Sequence, residues 1–226
     1  MGKKLRKTIL GLLAVVLTTS YVSAQFTFGP RVGFNYTNMR SEFDGQKLDK
    51  EGSKFKPGFQ VGVVADYALN TSMSIQSGLL FAQQGYKQDF SKVNGPKAIF
   101  NLNYLQIPIN VQLKFPLGGI DLFVQTGPYL GFGINGKYKY WDENGKRMSN
   151  EDRKYSFGSD WEKGELKRFD IGIGFGAGLQ FGNIQAGLGY NMGLRNLVNE
   201  PTIKSYFDVL VKNYGLALTV TYLFGN

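Results

Sequence analysis

The sequence predicts an all-β fold: an eight-stranded antiparallel up-and-down transmembrane β-barrel. Three observations predict it. Eight separate segments alternate in character with a period of two, the spacing of side chains on a strand. The connections between these segments alternate strictly between long and short. Within the segments, bulky apolar side chains hold one face while glycines and amides hold the other.

The first segment, 26–37, carries Phe26, Phe28, Val32, Phe34 and Tyr36 on one face and Thr27, Gly29, Arg31, Gly33 and Asn35 on the other. Segments at 57–68, 73–86, 100–114 and 120–135 repeat the pattern. The sixth, 167–181, is the cleanest: Phe169, Ile171, Ile173, Phe175, Leu179 and Phe181 interleave with Asp170, Gly172, Gly174, Gly176, Gly178 and Gln180. The seventh spans 184–196 and the eighth 209–224, the latter with Tyr214, Leu216, Leu218, Val220, Tyr222 and Phe224 on one face. Long connections fall at 38–56, 87–99, 136–166 and 197–208, and short ones at 69–72, 115–119 and 182–183. Short periplasmic turns and long external loops give this order when both termini lie in the periplasm. Gly182-Asn183 suits a two-residue hairpin turn, and Asp44-Gly45 a turn in the first loop.

Residues 1–24 read as a secretory signal peptide. Lys3, Lys4, Arg6 and Lys7 precede an apolar stretch from Ile9 to Leu17, too short to span a bilayer, and Val22-Ser23-Ala24 is a small-residue cleavage site. The alternative is an N-terminal membrane anchor. Cleavage leaves 25–226 as one barrel domain and lowers the formal charge from +9 to +5, since four positive and no negative charges are lost. So mild a basic excess in an exported chain argues against nucleic acid as a partner.

Volume decides which face is outside. An eight-stranded barrel has an interior just wide enough for side chains to fill it. The Phe, Leu, Ile and Tyr of eight strands would overfill that space, whereas the glycine-rich face fits it. The apolar face therefore meets lipid. Phe26, Tyr67, Phe115, Phe181, Tyr222 and Phe224 fall near periplasmic strand ends, and Tyr36, Phe59, Phe132 and Phe169 near outer ends, as aromatic girdles require. Hydrocarbon leaves no water for a free strand edge, so strands one and eight must pair.

Inward positions include Arg31, Gln60, Asp66, Gln76, Gln84, Gln106, Asn110, Gln112, Lys114, Gln125, Gln185 and Asn191. They read first as a structural polar plug, within which each buried charge needs a partner. If Phe181 faces Ile184 across the turn, counting back sets Asp170 opposite Arg195, and an ion pair is expected there. The sequence has neither His nor Cys, which removes the commonest general base, thiolate ligands and a cysteine nucleophile. The inward acids Asp66, Asp121 and Asp170 are few and split between the two ends. No enzyme activity, metal or cofactor is expected. The loop 136–166 combines mixed charge with Tyr140, Trp141 and Trp161. It reads either as a partner-contact surface, since aromatic anchors dominate hot spots, or as a solvated hairpin continuing the Lys137-Tyr138-Lys139-Tyr140 alternation.

Several segments resemble one family. Asn103-Tyr104-Leu105-Gln106-Ile107-Pro108-Ile109 resembles the YLxIP signature of PorT-like outer-membrane barrels of Bacteroidetes. Gly78-Leu79-Leu80-Phe81, Gln125-Thr126-Gly127-Pro128-Tyr129, Phe169-Asp170-Ile171-Gly172 and Tyr190-Asn191-Met192-Gly193-Leu194 are similar to others in the same order, though Gln76-Ser77 stand where the family often carries an acid. The resemblance implies the outer membrane and its lipid. Through the member that names the family, it also implies an accessory role beside envelope proteins of a type IX-like secretion machine. A small-ligand or narrow-pore barrel is the other function that the pattern allows.

Overall fold

The computed structural model describes residues 25–43, 46–47, 52–90, 95–155, 157–158, 166–198 and 209–225. The predicted signal peptide, the Asp44-Gly45 turn and Trp161 lie outside the described residues.

Eight long strands are present: β1 Phe26–Phe43, β2 Ser53–Asn70, β3 Met73–Asp89, β4 Lys97–Pro116, β5 Asp121–Trp141, β6 Phe169–Phe181, β7 Ile184–Gly193 and β8 Val209–Tyr222. Each pairs antiparallel with its sequence neighbours, and β8 returns to β1 with Arg31 opposite Thr221 and Arg40 opposite Lys212. The sheet therefore closes and leaves no free edge for lipid to solvate. Asn70 pairs with Met73 and Phe181 with Ile184, so both turns hold two residues, with Gly182 at φ 53°. In the remaining short turn, Gly118 and Gly119 take φ 68° and 100°.

The apolar face is outside. Val63 is 60 % exposed, Leu218 58 % and Val32 55 %, while Gln112 and Asp170 are at 0 and 1 %. Every aromatic residue assigned to the two girdles is on the exposed face. So wide an apolar surface is stable only where lipid replaces water.

The strand bounds differ from the sequence expectation in two ways. At the end with the long connections β1 to β5 run further, β1 to Phe43 and β5 to Trp141, because polar-apolar alternation continues past the lipid-facing band. On the other side β6 starts at Phe169 and β7 stops at Gly193. There the amides of Leu194 and Arg195 both donate to the carbonyl of Ile171, at 2.8 and 3.3 Å, which ends the regular ladder. In β5 one extra residue slips the pairing with β4 between Asn103 and Tyr104, so buried positions pass from Gly133 to Gly136.

Candidate functional site

The lumen is the candidate site, and its two halves are built differently. At the periplasmic half the strands' own side chains form one bonded network. Arg31 on β1 donates through Nε to Thr221 Oγ1 at 2.7 Å and through Nη2 to Gln76 Oε1. Gln76 Nε2 donates to Asp66 Oδ2 at 3.2 Å and to Gln185 Oε1 at 3.0 Å. Asp66 also accepts from Ser74 Oγ at 3.1 Å and lies 3.7 Å from Lys114 Nζ. From Gln185 the network runs to Gln180 at 2.9 Å and Gln112 at 3.2 Å, and from Gln112 to Gln125 at 3.2 Å. Asp66 thus stands between Lys114 and, through Gln76, Arg31. A charge in so dry a place needs such company.

Above this layer Arg31, Gln60, Gln106, Asn110, Gln125 and Asn191 border a cavity of about 60 Å³. Asn35 sits where the β2–β3 pairing slips between Phe55 and Gln60, and its amide donates to the carbonyls of Phe59 and Gln83 at 3.2 and 3.3 Å.

The outer half is mixed: Thr37, Lys56, Gln84 and Asn213 are buried there beside an apolar cluster that a purely polar plug does not contain. Met39, Phe100, Leu102, Tyr104, Phe157 and Leu197 form a buried cluster, with Tyr86, Tyr138 and Tyr155 packed against it. Phe157 and Leu197 come from the long connections rather than from the barrel wall. Tyr104 and Phe157 meet edge to face at 5.7 Å. Sequence reading by polarity missed this cluster. The phase of the strand was the available signal, since Phe100, Leu102 and Tyr104 share the even positions of Gln106, Asn110 and Gln112. Phase likewise points Phe123 and Tyr129 inward beside Gln125, and both are buried.

These inward rings explain particular glycines. A Cβ at Gly178 would lie 2.5 Å from Phe123 Cζ, and one at Gly172 would lie 2.3 Å from Tyr129 Cε1. The glycine face therefore makes room for rings as well as for close backbone packing.

Asp170 lies just below the apolar cluster. Its Oδ2 accepts from Asn213 Nδ2 at 3.1 Å and from the Tyr129 hydroxyl at 3.4 Å. The register predicted from the Gly182-Asn183 turn holds from Phe181–Ile184 to Gly172–Gly193 and stops short of the expected Asp170–Arg195 pair. Arg195 is near enough for its charge to act on the carboxylate, whose hydrogen bonds come from Asn213 and Tyr129.

Outside the barrel, the end of β5 pairs with β4 from Lys97 to Asn101 and with a short strand, Arg153–Tyr155. Tyr140 stacks on Tyr138 with centroids 6.5 Å apart, and Lys97 Nζ lies 4.9 Å from the Trp141 ring centroid. Both residues are partly exposed. Arg147 closes the hairpin on Asp152 at 2.6 Å. Among the described residues no group of acidic side chains is placed to hold a metal.

A family model described as outer membrane protein beta-barrel domain matches residues 20–199. Ail, the attachment invasion locus protein of Yersinia pestis, solved in complex with the heparin analogue sucrose octasulfate, is 19 % identical over 88 % of this chain and 99 % of its own, with a TM-score of 0.39. OprG from Pseudomonas aeruginosa is 10 % identical over 89 % and 96 %, at a TM-score of 0.47. Neisserial surface protein A is 14 % identical over 87 % and 96 %, at 0.42. No curated protein matches the chain.

Proposed function

The chain belongs to the outer membrane protein beta-barrel domain family, and from that premise we propose that it is a closed, non-conducting barrel whose external hairpins engage another protein of the cell envelope. The outer membrane is where that family and the lipid-facing apolar band place it. The observation that carries the proposal is the cross-bonded lumen. Bonds from Arg31 to Thr221 and Gln76, then on through Gln185 and Gln112 to Gln125, tie together six of the eight strands. The cavity left above them, about 60 Å³, suits a few waters. Ligand pockets are commonly about 300–1,000 Å³.

The partly exposed Tyr140 and Trp141 supply the kind of anchor that dominates protein contacts. The resemblance to PorT-like barrels favours a subunit of a type IX-like secretion assembly as the partner, with a structural rather than an enzymatic task. Asp66 and Asp170 fit that task, since each is held by hydrogen bonds within its own layer, at opposite ends of the lumen.

Planar-bilayer recording of the folded barrel should show no discrete conductance steps. Regular steps from the wild-type protein would replace this reading with a narrow pore. Photo-crosslinkers at Tyr140 and Trp141 in native membranes should yield one protein adduct, and an adduct-free result at both positions would overturn the contact role of the hairpin.

A further inference from the structure

β7 ends at Gly193, whereas β8 continues outward along β1 beyond Tyr214, its other edge bonded at Val211 by the Leu197 amide and the Asn196 side chain. The seam this leaves opens into a groove of about 640 Å³ on the wall facing lipid. Its walls carry Phe55, Tyr190, Met192, Leu194 and Tyr214, and its rim carries Arg40 and Lys212. Two buried side chains also line it, Ser41 and Asn213, at 6 and 2 % exposure. Among the described residues, Ser41 Oγ and Asn213 Oδ1 have no hydrogen-bond partner. Buried polar atoms are nearly always bonded, and each of these leaves a hydrogen bond that a ligand in the groove could complete.

Depth in the membrane narrows the ligand. From Phe26 to Tyr36, strands tilted by roughly 40° rise about 25 Å along the membrane normal, the height of the apolar band. Tyr190 and Tyr36 flank Leu216 on either side of β8, both near the top of the apolar band. Arg40 lies four residues beyond Tyr36, about 10 Å higher along the normal, among lipid headgroups. It faces Lys212 directly across the β1–β8 pairing. Like charges so placed repel unless an anion lies between them. Glu42 pairs with Arg40, and among the described residues no carboxylate pairs with Lys212. The groove therefore joins an apolar trough at the interface to an unneutralised cation at headgroup height, with two bare oxygens in need of N–H or O–H donors.

We propose that the groove binds one phosphorylated glycolipid of the outer leaflet. The phosphate lies against Lys212 and Arg40, and an acyl chain follows Met192, Leu194 and Tyr214. The sugar's hydroxyl and amide groups donate to Asn213 Oδ1 and Ser41 Oγ. A phosphate alone would leave the trough empty, and a neutral acyl chain alone would leave Lys212 unmatched.

The test is native mass spectrometry of the full folded barrel in detergent, titrated with bis-phosphorylated lipid A, dephosphorylated lipid A or phosphatidylglycerol. Wild type should hold one lipid A, at least tenfold more tightly than either alternative. The double variant R40Q/K212Q should lose at least tenfold in lipid A affinity. Leu194→Trp, at an exposed position where folding tolerates bulk, should lose as much by filling the trough with every charge intact. A gel-mobility shift on heating confirms folding of each variant. Equal binding of phosphatidylglycerol, or lipid A affinity within twofold of wild type in both variants, would reduce the groove to an unselective lipid contact and overturn the proposal.

Discussion

The lumen is closed by amides and charges at its periplasmic half, whereas at its outer half an aromatic and aliphatic cluster joins buried polar side chains such as Thr37, Lys56 and Gln84. The difference follows from what each end has available. Periplasmic turns of two residues between β2 and β3 and between β6 and β7 cannot fold back into the barrel. The strands must fill that end with their own side chains, and Gln76, Gln112 and Gln185 reach across it. The outer end has long connections to spend, and they lay Phe157 and Leu197 over Leu102 and Tyr104. Polar closure depends on exact partners far apart in sequence, such as Arg31 and Thr221. It fixes the register of the ring. Apolar closure depends on volume and tolerates exchange of one hydrophobe for another.

Substitutions at Asp66, Leu102, Gly133 and Gly178 would break or sharpen this contrast. The largest effect should come from Asp66→Leu. It leaves the charges of Lys114 and Arg31 inside the lumen without their carboxylate, and removing one partner of a buried pair costs about 3–5 kcal/mol. Urea unfolding in lipid vesicles measures it, and a loss below about 1 kcal/mol would show that the network is not what holds this end.

Leu102→Ala should cost about 3 kcal/mol by the same measurement, as expected for a fully buried leucine. If the two halves are independent, the double variant Asp66→Leu/Leu102→Ala should lose the sum of the two within about 0.5 kcal/mol. A larger deviation would mean the layers are mechanically coupled.

The smallest effect, about 1–3 kcal/mol, is expected of Gly133→Ala, whose Cβ would lie 2.5 Å from the Phe157 ring. Adding Phe157→Ala should abolish that increment, because the three nearest atoms there all belong to the ring. Gly178→Ala, by contrast, would meet the Ala186 carbonyl at 2.2 Å as well as Phe123, so Phe123→Ala should rescue it only in part. Full rescue at Gly178 would show that the wall yields where it is taken to be rigid.

Much of this was legible beforehand because strand periodicity is a local property. Asp66, Gln106, Lys114 and Gln125 could be assigned to the lumen one strand at a time, and each borders it. Partners were less legible. Arg31 showed that it needed company, but Thr221 lies 190 residues away, and only closure of β1 on β8 brings it near. The Asp170–Arg195 pair was counted from its turn, and that count assumes a regular ladder, which ends at Gly172 and Gly193. A chain that bends both Leu194 and Arg195 onto Ile171 cannot be counted through.

The amino-acid sequence by itself determined the number of strands, their phase and the side of each that meets lipid, because alternation and the small volume of an eight-stranded interior admit one arrangement. Only the tertiary structure decided how the lumen is shut, which glycines yield to Phe123 and Tyr129, and where the wall parts between β7 and β8. Those features depend on contacts between distant strands and on where pairing slips or stops, and neither leaves a periodic trace along the chain.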